Sequence, residues 1–272
     1  MLMRTRPPAA PTPLGPKERL ERQAEFYLCL ARAFLSPLEE TAWRGMAECL
    51  ADDLSEIARE LGLDAGCEVS EYRAAMMAVP DGLALLQTYA ALFLMPPAPA
   101  PLNTGLYLDG SLAGPSVTAM ETCYRQCGVE RDPQFGDLSD HPSVQLEFVA
   151  LLYAREAQQL AGLGERPPFG GGQFLASFVR GWAPRFAATL ERATRGRACP
   201  NPWLPLARLL AAAAERDAVS MPGAEAAPAK RPAPPPLDAE AVREMARKLR
   251  ERGLATDHLP LAEATDSGCC PG

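Results

Sequence analysis

Apolar residues recur at three- and four-residue steps along almost the whole chain. Leu20, Ala24, Tyr27, Leu28, Ala31, Phe34 and Leu35 form one such stripe, which predicts a helix with one buried face. Ser36-Pro37 stops that helix. Ser36 as N-cap, Pro37 at the first helical position and Glu39 as the partner of a capping box predict that the next helix starts there. Trp43, Met46, Ala47 and Leu50 form the second stripe, and Leu54, Ile57, Ala58 and Leu61 a third that Gly62 closes. The same spacing predicts helices over 70–78, 82–94, 115–127, 142–162, 173–192 and 202–217. Pro184 and Pro205 must kink the last two or lie in a first turn. No segment alternates with a period of two, and no repeat of fixed length appears. The expectation is an all-α protein, a single globular bundle of about eight to ten packed helices.

The pattern fails at both ends. Residues 1–16 are basic and proline-rich without an apolar core, so they read as a flexible start and not as a secretory signal. The helical domain is expected over 17–219. Residues 220–236 carry prolines among alanines and read as a linker. Residues 237–253 read as a short amphipathic helix, with Asp238 as cap and Val242, Met245 and Leu249 on one face. Residues 254–272 read as a disordered tail.

Charge and cysteine content narrow the function. A net charge of −7 argues against nucleic acid, which needs clustered Lys and Arg. The longest apolar run, Leu83 to Met95, is interrupted by Gln87 and Thr88 and ends in prolines, so no stable membrane insertion is expected. Six of the eight cysteines, Cys29, Cys49, Cys67, Cys123, Cys127 and Cys199, are scattered, and none has the company of a zinc set. They read as structural thiols of a reducing cytoplasm. Cys269-Cys270 reads as an incidental tail pair.

Two segments break the helical monotony. Leu94 to Ser111 is a long loop with Pro96, Pro97, Pro99 and Pro101, followed by Asn103-Thr104-Gly105-Leu106-Tyr107-Leu108-Asp109. Loops of this length in compact domains often bind something, and its leucines favour packing down or meeting an apolar partner. Asp137-Leu138-Ser139-Asp140-His141 then holds one of only two histidines, at the entrance of the helix from Pro142. A metal site would need further ligands, and only His258 remains, in the tail. A catalytic Asp140-His141 dyad would need a nucleophile, and no GxSxG elbow occurs. An α-helical hydrolase or metal enzyme therefore stands as an alternative, beside a non-catalytic assembly adaptor. The structural reading is a capped helix start, with Ser139 or Asp140 as cap and Pro142 in the first turn. Capping is compatible with an acidic edge that receives a basic peptide. Glu147, in the apolar run after His141, is either solvent-facing or paired. Gly170-Gly171-Gly172 and Gly162-x-Gly164 follow no strand and belong to no GxxxxGK[ST], so no nucleotide cofactor and no metal is expected.

Taken in order, these features resemble the TorD/DmsD/NarJ family of molybdoenzyme maturation chaperones. The likeness runs from about Arg22 to Val219. It rests on Tyr27 and Leu28-Cys29-Leu30-Ala31-Arg32-Ala33-Phe34, and on Tyr89-Ala90-Ala91-Leu92-Phe93 before a proline-rich loop ending in Tyr107. It rests also on Asp137-x-x-Asp140-His141, Leu146-Glu147-Phe148, and Phe174-Leu175 with Trp182, Pro184 and Phe186. The resemblance implies a TorD-like fold and a cytoplasmic, non-catalytic protein. It implies binding to the twin-arginine signal peptide, or N-terminal region, of a molybdopterin enzyme's catalytic subunit until cofactor insertion, so delaying export. It also implies a peptide groove that involves Tyr89, Phe93, Pro97, Pro101, Tyr107, Asp109, Asp137, Asp140, His141 and Glu147. A monomer and a helix-exchanged dimer are both compatible with it.

Overall fold

The structure, a computed structural model, describes residues 13–132, 135–195 and 200–218. The expected linker, terminal helix and tail beyond 219 lie outside the described residues, as do Cys199, His258 and Cys269-Cys270. Among the described residues there is no strand.

The opening stripe forms α1 (Pro16–Ala33), with Pro16 at its first position and Glu18 reaching back to the Gly15 amide at 2.9 Å. The next helix does not begin at Ser36. α2 (Glu40–Arg44) starts four residues later, with Glu39 as N-cap, and runs through a π turn (Gly45–Cys49) into α3 (Leu50–Leu61). The delay has a physical cause. Two side-chain donors from far along the chain take the carbonyls where α1 ends: Trp203 Nε1 donates to Ala33 O at 2.9 Å and the Tyr89 hydroxyl to Phe34 O at 3.2 Å. These bonds anchor residues 33 and 34 to the core, and the chain from 35 to 39 passes outward through a turn before α2 begins. Gly62, with φ of 66°, ends α3 in the left-handed conformation that the sequence predicts there.

α4 (Gly66–Met77) leads into α5 (Gly82–Tyr89), whose cap Asp81 accepts from the Ala84 amide at 2.8 Å. α5 continues as a π turn (Ala90–Leu94). The proline-rich segment then turns back, and Ala100 N–H donates to Leu92 O at 3.0 Å. Within the expected loop lies one short helix, α6 (Gly105–Leu108). α7 (Pro115–Gln126) and α8 (Pro142–Leu160) follow, and α8 lies along α1 as the main central pair. The last long helix is composite: α9 (Gly171–Phe174), a π turn (Leu175–Val179) and α10 (Arg180–Thr194). Pro184 sits inside α10 one turn past the π turn, whereas Pro205 lies in the first turn of α11 (Trp203–Asp217). Counting each composite once, the described residues form nine helices, an all-α bundle of the expected kind.

The core is one continuous cluster with an aromatic centre. Tyr89 and Phe93 meet edge to face at 4.9 Å, and both contact Trp203 at 5.4 Å. Phe186 closes the group from α10, 5.8 Å from Tyr107. Ala100, Leu102, Leu106 and Tyr107 are all buried, so the proline-rich loop packs down onto the bundle. No single described helix is long and apolar enough to cross a membrane. Of the described cysteines, Cys127 is buried and Cys29 and Cys123 half-buried, as structural thiols would be, but Cys49 and Cys67 are exposed.

Candidate functional site

The Asp137–His141 segment forms the tight entrance of α8. His141 N–H donates to Leu138 O at 3.1 Å, closing a turn, and Pro142 takes the first helical position. The cap is neither Ser139 nor Asp140. His141 itself caps the helix, its Nδ1 accepting from the Ser143 amide at 3.1 Å. Ser139 is used elsewhere: its hydroxyl donates to Glu121 at 2.7 Å, and its carbonyl accepts from the Tyr124 hydroxyl at 3.1 Å.

Asp140 points inward and has no solvent exposure. Its Oδ2 accepts from the Gly105 amide at 2.8 Å and its Oδ1 from the Asn103 amide group at 3.4 Å. Its backbone carbonyl accepts from the Thr104 hydroxyl at 2.9 Å and from Gln145 Nε2 at 2.8 Å. Gln145 Nε2 also donates to Thr104 Oγ1 at 2.6 Å, while Gln145 Oε1 accepts from Trp182 Nε1 at 2.9 Å. One buried network therefore ties the loop at 103–105 to the start of α8 and to α10. Its compactness explains a glycine: a Cβ on Gly105 would come within 2.8 Å of Val117 and 2.9 Å of Ser111 O.

The electrostatics follow from burial. Desolvation raises the Asp140 carboxyl to about 6, against the pull of the Gly105 amide and Asn103. Desolvation lowers His141 to about 4, opposed by Asp137, whose Oδ2 lies 3.9 Å from Nε2. At neutral pH the carboxylate is ionised and the imidazole neutral, with its proton on Nε2 because Nδ1 is the acceptor. Asp140 and His141 make no hydrogen bond to each other: one holds the loop and the other caps the helix. The dyad that a hydrolase would require is not formed. Among the described residues no three His, Cys, Asp or Glu side chains gather as a metal site.

The remaining expected site residues separate into two groups. Tyr89, Phe93 and Tyr107 are core residues; the Tyr107 hydroxyl donates to Pro101 O at 2.8 Å, and burial pushes the hydroxyls of Tyr89 and Tyr107 well up. Asp137, Pro97, Pro101, Asp109 and Glu147 retain access to solvent. Asp137 lies beside the node, sharing Asn103 at 3.4 Å, and its charge reaches the Tyr89 hydroxyl. Asp109 is engaged in capping α7, accepting from the Ser116 amide at 2.8 Å and hydroxyl at 2.9 Å. Glu147 is exposed on α8 and has no hydrogen-bond or ion partner among the described residues.

Neither Gln145 nor Trp182 is among the expected site residues, although Trp182 carries part of the family likeness. A signal for Gln145 was available, since it occupies an inward position of α8 between Pro142 and Leu146 and Val149, where a polar residue needs a partner. The glycine run proves architectural. The Gly171 amide donates to Glu156 Oε1 at 2.6 Å, and a Cβ on Gly171 would come within 2.9 Å of the Tyr153 ring. The helix end that would face a phosphate thus already holds a carboxylate of the chain itself.

The model of the nitrate reductase delta subunit family matches residues 38–188, from the turn before α2 to the middle of α10. Among solved structures, one of a protein assigned as a redox enzyme maturation protein of Archaeoglobus fulgidus is similar. The identity is 20% over 70% of this chain and 93% of that one, with a TM-score of 0.43. No curated protein matches the chain significantly in sequence.

Proposed function

The chain belongs to the nitrate reductase delta subunit family, a TorD/NarJ-type family of redox enzyme maturation chaperones, and on that premise we propose that it holds an unfinished molybdoenzyme catalytic subunit. It grips the N-terminal region or twin-arginine signal peptide of that subunit, keeps it from export until molybdopterin is inserted, and then lets go. It acts in the cytoplasm and catalyses no reaction of its own. The observation that carries this reading is the family match over residues 38–188, which contains both the proline-rich loop and the Asp137–His141 entrance.

The site proposed for the client is the edge made by Pro97, Pro101, Asp109, Asp137 and Glu147. The buried Tyr89, Phe93, Tyr107, Asp140 and His141 set its shape from beneath. An acidic rim over an apolar support suits a segment in which arginines precede an apolar run. Recovery of the full chain from its native cell tests the function. The chaperone reading expects a molybdoenzyme catalytic subunit to co-purify, and expects deletion of that subunit's N-terminal segment to abolish the association. Association that survives the deletion would reject recognition through that segment.

A further inference from the structure

The helix from Gly82 to Leu94 contains no charged residue, yet only one of its faces is covered. Leu85, Tyr89, Leu92 and Phe93 enter the core, while Leu83 is 64% exposed and Leu94 48%. Met95, which follows, is 61% exposed, and Gln87 is the one polar side chain on the outward stripe. A helix that is apolar on all sides is normally buried on all sides.

The neighbouring chain widens this surface. The segment from Phe34 to Trp43 runs along α5, fixed at one end by the Tyr89 hydroxyl on Phe34 O at 3.2 Å. At the other end Trp43 covers Gly82, where a Cβ would come within 2.8 Å of the indole. Between these two clamps lies Leu38, 74% exposed. Among the described residues, five of the seven large apolar side chains that stand exposed belong to this region, with Met77 at the turn into α5 as the fifth. Clustered exposure of this kind marks a partner surface, whereas scattered single residues do not.

The charge beside it selects the partner. Between Glu39 and Glu71 there are ten carboxylates and two arginines, more net negative charge than the −7 of the whole chain. α2 packs against α5, and Glu39 at its N-cap and Glu48 in the π turn that follows it are exposed and have no ion partner among the described residues. Arg44 is already bound to Glu40 at 2.5 Å. Two copies of the chain meeting through this face would bring like charges together, which disfavours self-association.

We propose that the outward face of Gly82–Leu94, with Leu38 and Met95, seats an apolar helical segment of a partner whose N-terminal flank is cationic, Glu39 and Glu48 receiving the charge. The inference rests on the chaperone reading, since the client's N-terminal segment has this chemistry, and it extends the proposed edge from Pro97 back along α5. The occupied helix is the one whose inward residues, Tyr89 and Phe93, the sequence singled out.

The test is titration of the full chain with a synthetic twin-arginine peptide, a pair of arginines followed by an apolar run. Parent protein is expected to bind, more weakly as salt rises. Leu83→Ser with Leu94→Ser is expected to weaken binding roughly tenfold or more, and Glu39→Lys with Glu48→Lys to remove most of the salt dependence. Leu160→Ser with Leu163→Ser, at the other exposed apolar site, is expected to leave affinity unchanged. Circular dichroism confirms that the variants fold, and a benzophenone amino acid placed at position 83 is expected to cross-link to the peptide independently of any loss of affinity. Unchanged affinity in the leucine variant, with no cross-link, overturns this surface and leaves the chaperone reading standing. Concentration-dependent dimerisation that the leucine variant removes, without change in peptide binding, also overturns it in favour of a second copy. Absence of both peptide binding and client co-purification overturns the chaperone reading and this surface together.

Discussion

The interior node around Asp140 and the outward face of α5 are opposites in how their chemistry is satisfied. At the node, polar groups are buried and nearly every one has a partner: Asp140 with Gly105, Gln145 with Trp182 and Thr104, His141 with the Ser143 amide. On α5, apolar groups are exposed and have none. A rare Asp-His pair attracts attention as chemistry, and an apolar helix is easily dismissed as core. The structure reverses both impressions. Unmet demand marks a surface for a partner, and here the demand of the polar node is met internally.

This contrast can be broken in order of expected effect. Gln145→Leu strikes the node hardest, because it strands the buried Trp182 N–H and removes one of the two side-chain donors to Asp140 O. A loss of about 2–3 kcal/mol of unfolding free energy is expected by chemical denaturation. A loss below about 0.5 kcal/mol would show that the network does not hold the loop.

The second test uses pH. Asp140 is raised to about 6, so its contribution is full below its unfolded value near 3.8 and is lost as pH rises through 6. His141 is lowered to about 4, so its contribution is full above its unfolded value near 6.5 and is lost as pH falls through 4. Between about 4 and 6 the folded pair holds its one proton on Asp140 and the unfolded pair holds it on His141, so the two slopes cancel. Relative to parent, Asp140→Asn is expected to lose stability as pH falls from about 6 to 4, by up to about 1.4 kcal/mol per pH unit. His141→Asn is expected to show the opposite slope. Denaturation midpoints for both variants that track the parent across this range would contradict the assignment.

Gly82→Val bears on the other region. Its side chain would displace the Trp43 indole that clamps Leu38 along α5, with an expected cost of about 1–2 kcal/mol by thermal or chemical unfolding. The smallest effect is expected where the surface is free. Leu83→Ser with Leu94→Ser should change stability by no more than about 0.5 kcal/mol. A large loss there would place these leucines in the fold and not at an interface.

Much of the fold was legible because helices announce themselves by spacing. The start of α8 at Pro142, the end of α3 at Gly62 and the extent of α5 through Leu94 followed from local pattern. The failures share one cause, long-range contacts that local sequence does not contain. Ser36 cannot start a helix because Tyr89 and Trp203, remote in sequence, hold the chain beside it. Asp140 is not a surface carboxylate because Gly105, 35 residues earlier, closes over it. The π turn over Ala90–Leu94 carries no sequence mark of its own, whereas Leu92 O is left open for the Ala100 amide because Pro96 and Pro97 have no N–H to offer it. For the candidate site, the sequence singled out the entrance of α8 and the proline-rich loop, which the structure joins through Asp140 and Gly105. Which residues turn inward depended on the packing of α1, α10 and α11 around them.

The claim at the centre of this account is that the protein holds an enzyme subunit only while that subunit is unfinished. The most direct measurement is the dissociation constant of the full chain for its catalytic-subunit client, taken with the client lacking molybdopterin and with the cofactor inserted. Tighter binding to the cofactor-free client, with at least about a tenfold difference, is the predicted result. Equal affinity for the two forms would contradict it.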